Sequence, residues 1–300
     1  MVRTPNRLKT GAALAALVAF GTLLAPAQAS AAECDRKCLE GTVTAYLDAL
    51  LAHDPARLQL AGKTRFTEDG KELKLGEGLW QTVSGKAGFR QDYLDTQKQI
   101  AATHVELREG AIPVLYSAVL HLEGGRIAGI ETLVQRIQPD SRFQPTELGA
   151  PIKGMNDPVP AGKRQNRAEM IATALRYTEG LRIGNFTDAG TPFADGTYRV
   201  ENGVITAGNG CGREDCGMYS QRLMLHPAII PSVAAVDEEN GTVLLWMNFG
   251  DTGSYGPGNA LVTFEGFKVW GGEIRAINAF FGFLPASTSR FWPSSDPVRP

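Results

Sequence analysis

The sequence lacks most of the signatures that assign an enzyme class directly. Its 300 residues contain no GxSxG, HExxH, phosphate-binding loop or dinucleotide-binding fingerprint, which disfavours serine hydrolase, zinc protease, nucleotide and NAD chemistry. There is no basic block or stripe and the formal net charge is -2, so nucleic acid is not expected as a partner. With 43% hydrophobic and 21% charged residues, the composition is that of a globular protein.

Long apolar runs are also scarce, and the one that stands out lies at the N-terminus. An uncharged stretch from Gly11 to Ala25 follows a basic start, and the small residues "APAQASAAE" come next. This is the pattern of a secretory signal peptide, so we expect residues 1–31 to be removed. The run is shorter than the ~20 residues that span a bilayer. The mature protein is therefore predicted to be periplasmic or secreted, with no membrane contact.

Cysteine is rare: the chain has four, at positions 34, 38, 211 and 216. In an oxidising compartment they are expected to be bridged, and four cysteines allow three connectivities. We favour the near-neighbour scheme, Cys34 with Cys38 and Cys211 with Cys216. Because no histidine lies near either pair, no metal site is predicted there.

What the sequence does contain is an internal repeat. Three blocks recur in the same order, which indicates a duplicated domain. The matched pairs are "AYLDALLAHD" (45–54) with "RYTEGLRIGN" (176–185), "RFTEDG" (65–70) with "RVENG" (199–203), and "LHLEGGRIAGIETLV" (120–134) with "FKVWGGEIRAINAFF" (267–281).

The repeat predicts the domain organisation. We expect a first domain over residues 32–138 and a second over 166–285. Residues 139–165 between them are rich in proline, glycine and polar residues without periodicity, which is typical of a linker. Residues 286–300 then form a C-terminal extension.

Local patterns predict the same elements in each copy. Apolar residues at three- and four-residue spacing predict a helix over residues 35–52, and Asn166 with Glu169 resembles the capping box of a second helix. The Gly-Gly pairs at 124–125 and 271–272 suit two-residue hairpin turns between β-rich runs. Each copy therefore opens with a helix and closes with a hairpin.

This order of elements, together with "LDALLAHDPARL" and "EGGRIAGIETLV", resembles the nuclear transport factor-like, or cystatin-like cone, superfamily. The likeness covers residues 34–138 and 166–284, and the chain is also similar to a secreted family with two such copies. The resemblance implies an α+β fold of two tandem cone-shaped domains, each with N-terminal helices packed on a curved antiparallel sheet around a mostly apolar pocket. Polyketide cyclases, ketosteroid isomerases, scytalone dehydratase and limonene epoxide hydrolase are enzyme members.

The hairpin turns predict which polar residues enter the cone. Counting back from each Gly-Gly pair places Glu265 opposite Asn278 in the second copy, and Glu131 beside Tyr116 in the first, all on apolar faces. A carboxylate desolvated there has a raised pKa and can exchange a proton with a substrate, while a hydroxyl or amide stabilises an enolate or alkoxide. We predict these four as catalytic residues. The alternative is that the carboxylates pair with a cation at the sheet edge.

Other residues are predicted to bind the substrate. Aromatic side chains suit the lining of an apolar pocket, although at these spacings they are also typical of a core; a histidine before a proline suits the pocket rim. The predicted set is Trp80, Tyr93, Trp246, Phe280 and His226.

Two functions remain open at this point. The first is a cofactor-independent acid/base enzyme, a lyase, isomerase, dehydratase or cyclase, acting on a small hydrophobic or aromatic molecule. The second is a non-catalytic secreted module that binds a ligand or a protein, with its two copies packed as an internal pseudo-dimer and a homo-oligomer also open. A cone that holds Glu131 or Glu265 beside a hydrogen-bonding neighbour favours the enzyme, whereas a cone filled by its own side chains argues against it.

Overall fold

The computed structural model describes residues 1–2, 33–146, 148 and 153–298. The predicted signal peptide lies outside the described residues, except for its first two. The described residues after position 32 form one compact unit that contains two six-stranded sheets. Among the described helices, none has the length and apolar character needed to cross a membrane.

The first domain is one helix followed by six strands. Its elements are α1 (Arg36–Leu51), β1 (Leu60–Glu68), β2 (Lys71–Leu73), β3 (Gly85–Asp95), β4 (Ile100–Glu109), β5 (Ile112–Glu123) and β6 (Arg126–Arg136). The strand order is β2-β1-β6-β5-β4-β3. The second domain repeats this plan with α2 (Arg167–Ile183), β7 (Phe193–Glu201), β8 (Val204–Gly208), β9 (Ile230–Asp237), β10 (Thr242–Asn248), β11 (Asn259–Trp270) and β12 (Glu273–Pro285), in the order β8-β7-β12-β11-β10-β9.

The fold is thus α+β with two tandem cone domains, as predicted. One detail differs from the expectation of antiparallel sheets. The first strand of each domain forms a hairpin with the second. On its other side it joins the last strand of the sheet, so that β1 runs parallel to β6, and β7 runs parallel to β12. Each sheet is therefore mixed.

The predicted helix starts are confirmed. The Asp35 side chain accepts a hydrogen bond from the Cys38 backbone N–H at 2.8 Å and caps α1. Asn166 and Glu169 form the predicted capping box of α2, which satisfies two backbone donors that the first turn leaves unpaired. Each helix buries its apolar face against the sheet of its own domain, and we call that side of the sheet the inner face.

The Gly-Gly turns are also confirmed. All four glycines have positive φ, between 56° and 80°, which residues with a Cβ rarely adopt. The matched segments "RFTEDG" (65–70) and "RVENG" (199–203) of the repeat also form turns. Asp69 and Asn202 both have positive φ, and each accepts a 2.9 Å hydrogen bond through Oδ1, from the backbone N–H of Val134 or Phe281 respectively. The motif therefore ties the first strand of each domain to its last.

The outer faces of the two sheets pack against each other. Side chains from both sheets form a continuous apolar cluster between the domains, and the larger ones are Phe89, Tyr93, Leu115, Leu133, Leu244, Trp246, Phe264 and Phe280. The second domain thus covers the outer face of the first, and an outer-face residue does not line a cone.

The C-terminal residues 286–298 cross both domains. Arg290 binds Glu131 of β6, and the Trp292 ring stacks on His121 of β5 with centroids 4.8 Å apart. Further along, the Ser294 hydroxyl accepts a 2.8 Å hydrogen bond from the Val233 backbone N–H in the second domain. We call residues 286–298 the C-terminal strap.

Candidate functional site

The predicted register of the closing hairpins is wrong beyond the turn. In the second domain Val269 faces Ile274 as predicted, but the next pair is Lys268 with Ala276, so Arg275 forms a β-bulge. The first domain has the same irregularity beside His121. Each bulge inserts one unpaired residue, and a one-residue shift moves every following side chain to the other face.

The bulges separate both predicted catalytic pairs. Glu265 lies opposite Ala279, and Asn278 lies opposite Gly266. Since neighbouring partners in a sheet share a face, Glu265 points to the inner face and Asn278 to the outer face. In the first domain Glu131 lies opposite Val119 and Tyr116 opposite Val134, so that pair is split in the same way.

Glu131 belongs to an ion pair beneath the C-terminal strap. Its carboxylate accepts hydrogen bonds from Arg290 at 2.6 and 2.8 Å and lies 2.6 Å from His121 Nε2. Burial raises the pKa of this carboxyl, but the charge of Arg290 and the hydrogen bonds outweigh burial and hold the pKa below its ordinary value. A carboxylate held ionised by a cation is the structural alternative considered above, and it is poorly suited to proton exchange near neutral pH.

Asn278 joins a polar group at the domain interface. Its side-chain amide lies 3.1 Å from His104 Nδ1, and the Tyr93 hydroxyl lies 3.2 Å from the same nitrogen. Burial lowers the pKa of His104 to about 3, so its ring is neutral. Phe280 stacks on this ring at 4.7 Å. The group fixes the two sheets against each other.

The predicted substrate-binding aromatics are core residues. Tyr93, Trp246 and Phe280 lie in the interface cluster. Trp80 lies in the core of the first domain, where its ring meets Tyr46 edge-on. The sequence predicted a pocket for these four residues because the spacing of aromatic residues does not show which apolar cluster a side chain joins.

Tyr116 also lies inside the first cone. Its hydroxyl lies 2.6 Å from that of Tyr46, in an otherwise apolar cluster. Burial raises the pKa of Tyr116 well above the ordinary value, so its hydroxyl stays protonated. The predicted partner Glu131 lies on the other side of the sheet, whereas the charge of Glu68, on the inner face, adds to the rise of this pKa.

Glu265 occupies a different environment, inside the second cone. It is 2% exposed, and its Oε1 atom has no hydrogen-bond partner among the residues that the structure describes. Burial raises the pKa of Glu265 to about 8; the negative charge of Glu201 adds to this, while Arg199 and Tyr177 oppose it. At neutral pH this carboxyl is therefore mostly protonated, which makes it a proton donor with a free oxygen.

Arg199 and Tyr177 complete this cluster. The Arg199 guanidinium donates to the Tyr177 hydroxyl at 2.9 Å and lies 3.3 Å from the Glu201 carboxylate. Both Tyr177 and Arg199 are buried. Burial raises the pKa of Tyr177 well above its ordinary value. We call Tyr177, Arg199, Glu201 and Glu265 the inner cluster.

The inner cluster is buried at one end and reaches the surface at the other. Arg199 also donates to Thr206 Oγ1 at 3.1 Å and to Gln221 Oε1 at 3.0 Å, and both of these residues are half-buried. On the buried side, the Tyr177 ring stacks on Phe186 at 4.9 Å and meets Phe267 at 5.1 Å. A polar path thus leads from the half-buried edge of the second cone to Glu265.

His226 lies at a different part of the second domain. It is buried against Phe249, with ring centroids 4.8 Å apart, and its Nε2 lies 3.3 Å from the Tyr255 hydroxyl. Tyr255 in turn stacks on the exposed Phe283 at 5.4 Å. The structure thus places His226 under an aromatic edge and shows no contact between it and Glu265.

The first domain keeps only part of the inner cluster: Glu68 lies at the position of Glu201, but Arg199 and Glu265 have no counterparts. The register of β1 on β6 and of β7 on β12 makes Phe66 the equivalent of Arg199. The register of the hairpins makes Ala118 the equivalent of Glu265. Tyr46 matches Tyr177, as the repeat predicted. The buried cation and carboxyl are thus particular to the second domain.

The sequence did not predict Arg199 as a site residue, because the repeat was aligned by matching Arg65 with Arg199, the first residues of "RFTEDG" and "RVENG". Alignment from the turn glycines, Gly70 and Gly203, brings Arg199 opposite Phe66 instead. The available signal was a pair of apolar strand positions in the first copy, Phe66 and Ala118, that are arginine and glutamate in the second.

Both predicted disulfides are present. Cys34 is bonded to Cys38 just before and within the start of α1, and Cys211 is bonded to Cys216 in the loop after β8. The second loop leads to Gln221, which contacts Arg199.

One protein family matches part of the chain. The profile of a family described as a domain of unknown function, DUF8021, matches residues 163–281, within which most of the second domain lies. No curated protein matches the chain significantly.

Three solved structures are similar to parts of the chain. They are an LEH-like epoxide hydrolase of M. tuberculosis (15% identity, 33% of this chain, 84% of that chain, TM-score 0.26), an NTF-2 like protein of unknown function from Silicibacter pomeroyi (18%, 33%, 94%, 0.24) and a candidate ketosteroid isomerase from Kribbella flavida (16%, 44%, 96%, 0.27). At these identities and TM-scores the likeness carries no argument about activity.

Proposed function

We propose that the second domain acts on a small hydrophobic or aromatic molecule by cofactor-independent acid/base chemistry, with Glu265 as the group that exchanges the proton. The observation that carries this proposal is a buried carboxyl with a free Oε1 and a pKa of about 8, beside Arg199 and Tyr177. A proton donor or acceptor works best when its pKa lies near the working pH. Lyase, isomerase, dehydratase and cyclase reactions all fit this chemistry.

The neighbours of Glu265 suit charge that develops on a substrate oxygen. Arg199 is a fixed cation, and Tyr177 keeps its proton because burial raises its pKa. Donors held in place in a water-poor site stabilise an oxyanion more strongly than water does. In this arrangement Glu265 supplies or removes the proton, and Arg199 with Tyr177 stabilises the negative charge.

Secretion is part of the proposal. The N-terminal pattern of residues 1–31 predicts export, and two disulfides are typical of proteins from oxidising compartments. The substrate would then be met in the periplasm or outside the cell.

A non-catalytic module is the second candidate, and close packing favours it. Phe186, Phe193 and Phe267 surround Tyr177 within the second cone, so a substrate must displace side chains to reach Glu265. In this alternative the inner cluster orders the domain, and the protein binds its ligand or partner elsewhere.

The two candidates are separated by a ligand screen. The purified protein is heated with a panel of aromatic, steroid-like and polyol compounds, because a ligand that binds only the folded state raises the unfolding midpoint. Compounds that do so are then incubated with the protein and followed by mass spectrometry. We expect turnover by the wild type, none by Glu265→Gln, and wild-type turnover by Glu123→Gln, which changes an exposed hairpin carboxylate.

The outcomes have distinct meanings. Stabilisation without turnover in the wild type supports the binding module. Turnover that survives Glu265→Gln contradicts the assigned role of Glu265. A large loss of stability in Glu265→Gln indicates that the carboxyl serves the fold.

A further inference from the structure

A polar cleft lies between the two domains, away from the second cone. It has a volume of about 390 Å³ and is lined by Arg36 of α1, Arg90, Asp92 and Leu94 of β3, Asn156 before α2, and Asn240 of the β9–β10 turn. Small-molecule sites in proteins have volumes of roughly 300–1,000 Å³ and are common at domain junctions. The first domain, the second domain and the segment between them all contribute to this cleft.

The wall around Arg36 is held by a buried carboxylate. Asp237 is fully buried, and its Oδ1 accepts from Arg36 Nη1 at 2.6 Å and from the Asn240 backbone N–H at 3.0 Å. Its Oδ2 accepts from the Leu94 backbone N–H at 3.2 Å. One carboxylate thus fixes an arginine from the first domain against a turn of the second.

The opposite wall is fixed in a similar way. Arg90 donates to Asp92 at 2.6 to 3.0 Å through Nε and Nη2. The buried Gln91 amide donates to Asn156 Oδ1 at 2.8 Å. Because these side chains are already held, a ligand orders few of them when it binds, which lowers the entropic cost of binding.

A buried lysine fixes the two asparagine-bearing segments. Lys268 is 1% exposed, and its ammonium donates to the backbone carbonyls of Asn240 at 2.6 Å, of Met155 at 3.3 Å and of Asp157. Met155 and Asp157 flank Asn156. The backbones that carry both asparagines are therefore held to one point.

Both arginines of the cleft are already paired with carboxylates, which bears on the class of ligand. Arg36 is paired with Asp237 and Arg90 with Asp92, and Glu40 adds a further carboxylate to the lining. An anion would meet these carboxylates, and an apolar molecule would find only Leu94. Hydrogen-bonding capacity remains on both sides, because the Asn240 side chain and the Asn156 amide nitrogen have no partner in the described part of the chain.

We propose that this cleft binds a neutral, hydroxyl-rich ligand, a saccharide of one or two units. Side-chain amides, guanidinium groups and carboxylates held in place offer both donors and acceptors to neighbouring hydroxyls. The site is independent of the proposed chemistry at Glu265, and Asn240 and Asn156 are its recognition residues.

Isothermal titration of the full protein with glucose, cellobiose and maltose tests the proposal. We expect at least one of them to bind with a Kd in the millimolar range or tighter, and Asn240→Ala to weaken that binding about tenfold, as the loss of one hydrogen bond to a ligand does. Asn209→Ala changes an exposed asparagine of the second domain that does not line the cleft and serves as the control.

A second test measures how salt affects the binding and whether a charged sugar binds better than a neutral one. Binding of a neutral sugar should be unchanged between low and high salt, because no ion pair forms with the ligand. Absence of binding by all three sugars at about 10 mM, equal affinity of Asn240→Ala and wild type, or selective binding of glucuronate overturns the proposal. Glu265→Gln should bind the sugar as the wild type does. This test therefore does not depend on whether Glu265 has the proposed acid/base function.

Discussion

Replacing Glu265 with glutamine should remove a specific pH dependence of stability. The pKa of this carboxyl is raised from 4.5 to about 8 in the folded protein, mainly by burial. Between these two values the folded state holds a proton that the unfolded state has released. The free energy of unfolding of the wild type therefore falls as pH rises through this range, whereas glutamine, which does not titrate, has no such contribution.

The magnitude follows from the size of the shift. One pKa unit corresponds to about 1.4 kcal/mol, so the full shift is worth roughly 5 kcal/mol, of which roughly 3–4 kcal/mol falls between pH 5 and pH 8. We expect the wild type to lose this much stability relative to Glu265→Gln over that interval. The two proteins should be most alike near pH 4.5 and should differ most near pH 8, with Glu265→Gln the more stable.

Urea denaturation followed by tryptophan fluorescence at pH 5, 6, 7 and 8 measures this difference. Titration of all other groups is common to both proteins, so it cancels in the comparison. Glu123→Gln, at an exposed turn, should give a curve parallel to the wild type. A difference between wild type and Glu265→Gln that stays constant from pH 5 to pH 8 would refute the raised pKa, and with it the case for Glu265 as an acid/base group.

Two further predictions concern the packing of the domains. Arg290→Ala leaves Glu131 buried without its cation, which should lower the free energy of unfolding by about 3–5 kcal/mol in urea denaturation; a loss below about 1 kcal/mol would mean that the C-terminal strap contributes little to stability. Gly266→Ala places a Cβ 2.2 Å from the Tyr93 hydroxyl and should cost about 1–3 kcal/mol. Gly62→Ala, where a Cβ meets nothing within 4 Å, is its control, and equal midpoints for the two variants would contradict close packing at the interface.

The sequence predicted those parts of the fold that depend on local signals. The capping box at Asn166, the Gly-Gly turns and the helix at 35–52 each depend on a few adjacent residues, and the structure has all of them. The repeat fixed the element order of both domains in the same way. Local signals and the repeat thus predicted the order of the elements, but not the parallel pairing of β1 with β6 and of β7 with β12.

The geometry of the candidate site depends on strand pairing and on contacts between residues that are far apart in the sequence. A bulge of one residue at Arg275 puts Asn278 on the opposite face of the sheet from Glu265, and nothing in the adjacent sequence marks it. The cation that binds Glu131 comes from position 290, 159 residues away along the chain. Face assignment and ion pairing over such distances require the tertiary structure, so two of the four predicted catalytic residues, Glu131 and Asn278, were placed in the wrong environment.

The contrast between the domains favours a chemical role for the inner cluster over a role in stability. A buried ion pair or triad can often be replaced by apolar side chains with no loss of stability, or with a gain, and the first domain shows such a solution with Phe66 and Ala118 at the positions of Arg199 and Glu265. The same cone thus folds without these charges. In the second domain they are accompanied by a free carboxyl oxygen and a raised pKa, both of which cost folding free energy. A feature that opposes stability and that the fold does not require is expected where a protein uses it to act on a ligand.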